Sequence, residues 1–417
     1  MRWFIVFAAA CSFSAAVSAA AEHLLIPADK IYTAPDAQPL LQGSVLLKGG
    51  RIASVSDQRS RIAIPEGTQT SSCRGVVVAG FQNSHVHLMG PGFDGAAAGP
   101  APALEHALES MLTRYGVTTA FDTGSDIANT VAVRARIEKG ELRGPRLLTA
   151  GWPLYPPNGI PFYLRDLPKQ ILDQLKQPKD VAEARAGVRA NLDAGADGTK
   201  LFMVTSPQMG TSVTISPDVA HAAVTETHAR GKLVLAHPTS IDGIRAALQA
   251  GVDIIVHTTL GEKQPWDDAL TRDMVAKKMS VVPTFKLWPY ELAKQNVPKE
   301  ITDRLVDATL QELRVFKSAG GQILFGTDVG YMHEVDPTDE YVLMSKAGLS
   351  AMDILASLTT APAERWKESQ KRGRVAPGLD ADLVVLEADP ADDVRNFAKV
   401  SCVFRGGELI YQKKAAE

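Results

Sequence analysis

Between residues 76 and 328 the chain alternates two patterns. Short apolar runs, rich in β-branched residues, cover 76–81, 118–121, 146–150, 199–204, 233–236, 254–257, 280–285 and 322–325. Their length and flanking turn residues predict buried strands. Stretches with apolar residues at helical spacing lie between them, over 103–115, 127–139, 180–194, 217–230, 241–250, 266–278 and 300–319. Ser216-Pro217 predicts a helix start, with an N-cap followed by proline at the first helical position. Leu192-Asp-Ala-Gly-Ala196 and Leu248-Gln-Ala-Gly-Val252 repeat one device, a helix that ends on glycine and turns directly into the next strand. Eight strands alternating with helices predict an α/β fold, a (β/α)8 TIM barrel over 81–372. A doubly wound open sheet is the alternative, but no Gly-x-Gly-x-x-Gly follows a first strand.

The flanks carry a different pattern. Short β segments meet at two Gly-Gly turns, Lys48-Gly-Gly-Arg51 and Arg405-Gly-Gly-Glu408. Neither flank has enough apolar residues for a core of its own. Residues 22–80 and 373–417 are therefore expected to build one small β-sandwich from both chain ends.

Composition narrows the class. With 417 residues, 45% hydrophobic and 22% charged, the chain is an ordinary globular protein. A net charge of -3 and no Lys/Arg cluster give no case for nucleic acid or an anionic membrane surface. The partner implied is a small-molecule substrate, and a homo-oligomer is compatible with the chain. Residues 1–21 read as a secretory signal peptide: Met1-Arg2, an apolar run over 3–10, then small residues ending in Val17-Ser-Ala-Ala-Ala21. The run is shorter than the roughly 20 apolar residues that span a bilayer, so export to the periplasm or beyond is expected. Cys11 raises a lipid-modified terminus, but Ala8 stands three positions earlier where a larger aliphatic residue is expected. Without the signal only Cys73 and Cys402 remain. In an oxidising compartment they either form a disulfide joining the two flanks or lie as two thiols in the core.

The candidate chemistry begins at His85-Val86-His87. Strand residues i and i+2 share a face, so the two imidazoles present a pair of ligands to a divalent metal. Further polar residues fall at later strand ends: Lys200 in Gly198-Thr-Lys-Leu-Phe202, His237 in Leu235-Ala-His-Pro238, His257 in Ile255-Val-His-Thr-Thr259 and Asp328 in Phe325-Gly-Thr-Asp-Val-Gly330. Barrel enzymes place their chemistry at this end of the strands. His106, His221 and His228 lie in helices and read as structural.

At these residues the sequence resembles the amidohydrolase superfamily. Gly373-Arg-Val-Ala-Pro-Gly-Leu-Asp-Ala-Asp-Leu-Val-Val-Leu386 resembles that family's return into its β domain. Ala236-His-Pro, Gly243-Ile-Arg-Ala-Ala-Leu, Ala250-Gly-Val-Asp and Val256-His are similar to the imidazolonepropionase-like and Xaa-Pro dipeptidase-like branch. The resemblance assigns His85, His87 and Asp328 to one metal, His237 and His257 to a second, and Lys200, carboxylated on its amine, to the bridge. Like charge and desolvation lower a lysine's pKa beside two cations, and the neutral amine can take up carbon dioxide. An ion-paired lysine at a mononuclear site is the alternative. Histidine ligands suit zinc.

The reaction implied is hydrolysis of an amide or peptide-like C–N bond by a metal-activated hydroxide, with Asp328 as general base and then acid. Ring-opening of a cyclic amide and deamination are the enzymatic rivals, and Lys200 weakens the second. A non-catalytic binding protein is the third reading, opposed by the complete set of site residues. Substrate contacts are expected from loops carrying Tyr155 and Tyr163, Trp288 and Tyr290, and Tyr331 and His333. Such walls, with Lys or Arg beside them, suit an apolar body bearing a carboxylate, as in a dipeptide or N-acyl amino acid.

Overall fold

The computed structural model describes residues 23–414 except 59, 61, 91 and 262–264. The expected signal segment and Cys11 lie outside the described residues. Parallel strands form two arcs. One holds Phe81–Val86, Val117–Asp122 and Arg146–Thr149. The other holds Gly198–Phe202, Leu233–His237, Ile254–Val256, Ser280–Val282 and Gln322–Ile323. Backbone hydrogen bonds cross both gaps. Leu154 N–H donates to Lys200 O and Phe202 N–H to Leu154 O, each at 2.9 Å. At the other seam Ser84 N–H donates to Phe325 O at 2.7 Å and Asp328 N–H to His85 O at 2.9 Å. With the helices between the strands, this is a TIM-barrel-type α/β fold beside a β domain.

Six helices fall within two residues of their expected bounds: Ile127–Glu138, Val181–Asp193, Pro217–Ala229, Ile241–Ala250, Asp268–Ala276 and Lys299–Ser318. Gly195 and Gly251 take positive φ at the helix ends, as the repeated phrase requires. Ser216 occupies its N-cap position without a side-chain bond, so the start rests on Pro217. The strand runs 254–257 and 280–285 stop early, at Val256 and Val282, because His257 and Thr284 take φ of 77° and 45°.

The run 76–81 is two strands, not one. Val76–Ala79 pairs antiparallel with Leu383–Leu386 in the β domain, and Phe81 opens the first barrel strand. Gly80 is the joint. A Cβ there would lie 2.2 Å from Thr118 Oγ1, so no other residue fits between the two layers.

The flanks meet, but as one sheet. His23–Ile31, Leu40–Lys48, Arg51–Ser56, Gln69–Thr70, Val76–Ala79, Leu383–Leu386, Val400–Arg405 and Glu408–Gln412 join in a single hydrogen-bonded sheet instead of the two sheets of a sandwich. Both Gly-Gly turns take positive φ at each glycine, the backbone of a type I′ hairpin. Val76, Val78, Val384 and Leu386 pack into the barrel-side core. Their alternate neighbours Val77, Ala79, Leu383 and Val385 pack with Ile26, Val45 and Phe404 in the domain's own core. Two buried faces explain why these runs are apolar at every position. Cys73 and Cys402 lie in that second core and form a disulfide, their Cα atoms 6.1 Å apart. Among the described residues no helix is long and apolar enough to cross a membrane.

Candidate active site

Strand ends on the C-terminal side bring six of the expected residues around one cavity of about 250 Å³: His85, His87, Lys200, His237, His257 and Asp328. The Nε2 atoms of His85 and His87 lie 3.0 and 3.1 Å from the same carboxylate oxygen, Asp328 Oδ1. The chain reaches this geometry by folding the eighth strand end over the first. Asp328 takes φ of 59°, and a Cβ on the following Gly330 would stand 1.8 Å from His87 O. The His257 ring centre is 4.9 Å from that of His85 and 4.7 Å from that of His237. His237 stacks on Phe202. Lys200 Nζ sits 5.5 Å from the same Phe202 ring and has no hydrogen bond or ion pair among the described residues.

Neighbouring groups set the imidazole tautomers. His87 Nδ1 lies 2.7 Å from Gly124 O, and a carbonyl only accepts, so Nδ1 carries the hydrogen and Nε2 turns to Asp328. Asp122 fixes that carbonyl by accepting from Ser125 Oγ and from Gly124 N–H. His257 Nδ1 meets Thr284 Oγ1, whose single hydrogen goes to Pro283 O at 2.9 Å. His257 therefore donates from Nδ1 and keeps a lone pair on Nε2. One ligand atom each from His85, His257 and Asp328 lie within 4.8 Å of one another.

Burial governs the charges. It pushes His85 and His237 down to about 3, helped by the Lys200 cation. His257 is held well below its ordinary value by burial and by His237. Burial lowers Lys200 to about 7. Asp328 is opposed by burial, yet the contacts from His85 and His87 keep it ionised, well below the usual carboxylate range. Imidazole nitrogens thus surround an ionised carboxylate, with a lysine close to neutral beside them. That donor set fits a divalent cation.

The amidohydrolase family model matches residues 76–410, most of the chain. The chain belongs to the amidohydrolase family. Ochratoxinase of Aspergillus niger is 25% identical over 242 residues, which are 55% of this chain and 49% of that enzyme. The chain thus spans about half the length of the curated relatives it matches first. Among solved structures, a Xaa-Pro dipeptidase with bound methionine in its active site has a TM-score of 0.78 at 23% identity, covering 94% of this chain and 100% of that one. A prolidase from Bifidobacterium longum, described as putative, has a TM-score of 0.78 at 25% identity, covering 94% and 95%.

Of the expected substrate contacts in this amidohydrolase, Tyr155, Tyr163, Trp288 and Tyr331 line the cavity. Tyr290 and His333 do not. Residues Leu287–Lys294 form a helix, not the expected loop. Its cavity face carries Leu287, Trp288, Glu291 and then Gln295, at helical spacing. Tyr290 lies between these positions and packs beside the barrel core under Lys294. His333 follows buried Met332 and is exposed. His228 pairs with Asp253 at 2.8 Å and His106 is exposed, both away from the cavity. Among the described residues the lining contains no arginine, and its one lysine is Lys200. Thr284, the Gly124 carbonyl, Glu291 and Gln295 were not expected from the sequence.

Proposed function

We propose that this chain is an exported, metal-dependent hydrolase that cleaves an amide or peptide C–N bond of a small substrate. The observation that carries the reading is the convergence of His85 and His87 on Asp328, with His237, His257 and Lys200 around the same cavity. His85, His87 and Asp328 would hold one divalent ion, zinc by the chemistry of its ligands, and His237 and His257 a second. Lys200 would serve both ions as a carbamate, its neutral amine adding to carbon dioxide to form an N–C bond with loss of one proton. Burial, which brings this amine down to about 7, makes the neutral form accessible near neutral pH. Such ions supply Lewis acidity and lower the pKa of water from 15.7 to about 7.

The chain's own groups do the rest. Asp328, ionised at the cavity floor, takes a proton from the attacking water and returns it to the leaving nitrogen. Gly124 O and Thr284 hold His87 and His257 in the tautomers that leave Nε2 free. Tyr155, Phe202 and Trp288 give the substrate an apolar wall that excludes water. Residues 81–372 carry this site as a (β/α)8 barrel, and the strands from 22–80 and 373–417 brace it. Export rests on the segment 1–21 and agrees with the disulfide.

The test is metal analysis of the purified mature chain, then chelation and readdition of Zn²⁺, with amine release from a panel of aminoacyl and N-acyl amides as readout. The expected result is amide cleavage that disappears on chelation and returns with the metal. Full turnover in Lys200→Ala or Asp328→Asn would overturn the mechanism.

A further inference from the structure

The cavity wall formed by the helix Leu287–Lys294 presents one charged group, Glu291, whose side chain is 17% exposed. Its Oε1 accepts from Tyr331 Oη at 2.9 Å and from Lys294 Nζ at 2.9 Å. Its Oε2 accepts no hydrogen bond among the described residues. A carboxylate with one committed and one open oxygen, mostly withdrawn from water, is an acceptor waiting for a donor.

The surroundings select the donor's charge. Lys294 Nζ sits 5.1 and 5.2 Å from the Tyr290 and Tyr331 ring centres, so this corner already holds an ammonium against aromatic faces. Tyr163 packs edge-on to Tyr331 at 5.6 Å and continues the aromatic surface into the cavity. Among the described residues the lining has no arginine, and Lys200 belongs to the metal cluster on the reading above. A substrate carboxylate entering here would give up hydration and meet Glu291 with like charge. An ammonium would gain a charge-assisted hydrogen bond at the open Oε2 and a ring face, while the like charge of Lys294 is taken up by Oε1 and, with that side chain 48% exposed, screened by water.

We propose that Glu291 is a specificity-determining residue, and that the substrates are amides whose aromatic or apolar acyl part carries a free amine. Aminoacyl amides and peptides with an unblocked amino terminus belong to this class, and N-acyl amino acids do not. The inference rests on reading the site as a C–N hydrolase and adds which end of the substrate the wall recognises.

Three p-nitroanilides test it on the metal-loaded full chain: phenylalanine p-nitroanilide and its N-acetyl and N-succinyl derivatives. The free amine is expected to exceed the succinyl compound in kcat/KM by about tenfold or more, with acetyl between. Glu291→Gln compresses that spread through KM, and Glu291→Asp restores part of it. A succinyl compound cleaved as well as the amine, or a spread unchanged in Glu291→Gln, overturns the inference while leaving the hydrolase reading intact. Calorimetric binding of phenylalaninamide against 3-phenylpropionate reads the same preference without turnover. Tighter amide binding that Glu291→Gln weakens supports the inference even if no anilide is cleaved, an outcome that would count against the hydrolase reading alone. Equal or reversed binding overturns it.

Discussion

Opening the Cys73–Cys402 disulfide releases a loop of 329 residues in the unfolded chain. Loop-closure entropy of about 2.1 + 1.5R ln n cal/mol/K gives about 19 cal/mol/K, or about 6 kcal/mol at 25 °C, as an upper bound. Unfolding entropy near 2.1 cal/mol/K per residue over roughly 390 ordered residues turns this into a fall of about 7 °C in the melting midpoint. Alanine is the right replacement at both positions, because Cys73 and Cys402 are 2% and 0% exposed and a serine would bury a hydroxyl in an apolar core. Cys73→Ala, Cys402→Ala and the double variant all remove the same bond, so their midpoints should agree within about a degree. Differential scanning calorimetry on non-reduced protein measures the shift, and urea unfolding checks it. The bond lies in the β domain and neither cysteine lines the cavity, so kcat/KM at 25 °C should persist. Midpoints of all three variants within about 1 °C of the parent would refute the reasoning.

Asp328→Asn should lower kcat/KM by about 10²- to 10⁴-fold at saturating metal, the range of a lost general acid–base group; a smaller loss in steady-state assays would remove Asp328 from the proton path. Thr284→Val should weaken metal binding by about 10- to 100-fold, because His257 Nδ1 loses its acceptor. Thr284→Ser keeps that acceptor, and equal dialysis affinities for the two variants would contradict the role. Burial raises the Glu340 carboxyl from 4.5 to about 7, against two backbone N–H donors and Lys286. A folded pKa above the unfolded one gives stability that is present below about 4.5 and is lost as pH rises through about 7. Urea midpoints from pH 5 to 7.5 should therefore fall less steeply in Glu340→Gln than in the parent, and parallel slopes would exclude the assignment.

The cluster was legible because parallel strands force it. His85, His237, His257 and Asp328 each end or closely follow an apolar run, and Lys200 stands inside one. Strands that all point one way bring such residues to one side, so the sequence order of polar strand ends becomes a list of neighbours. The strand bounds were less legible where function interrupts the regular backbone. His257 and Asp328 take left-handed φ at the site itself, and an apolar run carries no mark of that turn. Gly80 hid a domain boundary for a related reason, since strands buried on both faces look alike on either side of it.

The groups that orient the imidazoles were not legible. One is a backbone carbonyl, Gly124 O, and another a threonine hydroxyl, neither of which any side-chain pattern distinguishes. Glu291 shows the same limit most sharply. Lys286-Leu-Trp-Pro-Tyr290 reads as an aromatic loop, and nothing in the pattern singles out Glu291. Once those residues wind into a helix, each step turns the side chain by about 100°. Trp288 and Glu291 then share the cavity face while Tyr290 turns away from it. That one rotation puts a carboxylate where an aromatic contact was expected, and the proposed preference for amines rests on it. Specificity in this fold is set on helices and loops whose phase the strand pattern does not determine, whereas the metal cluster is set on strand ends whose phase it does.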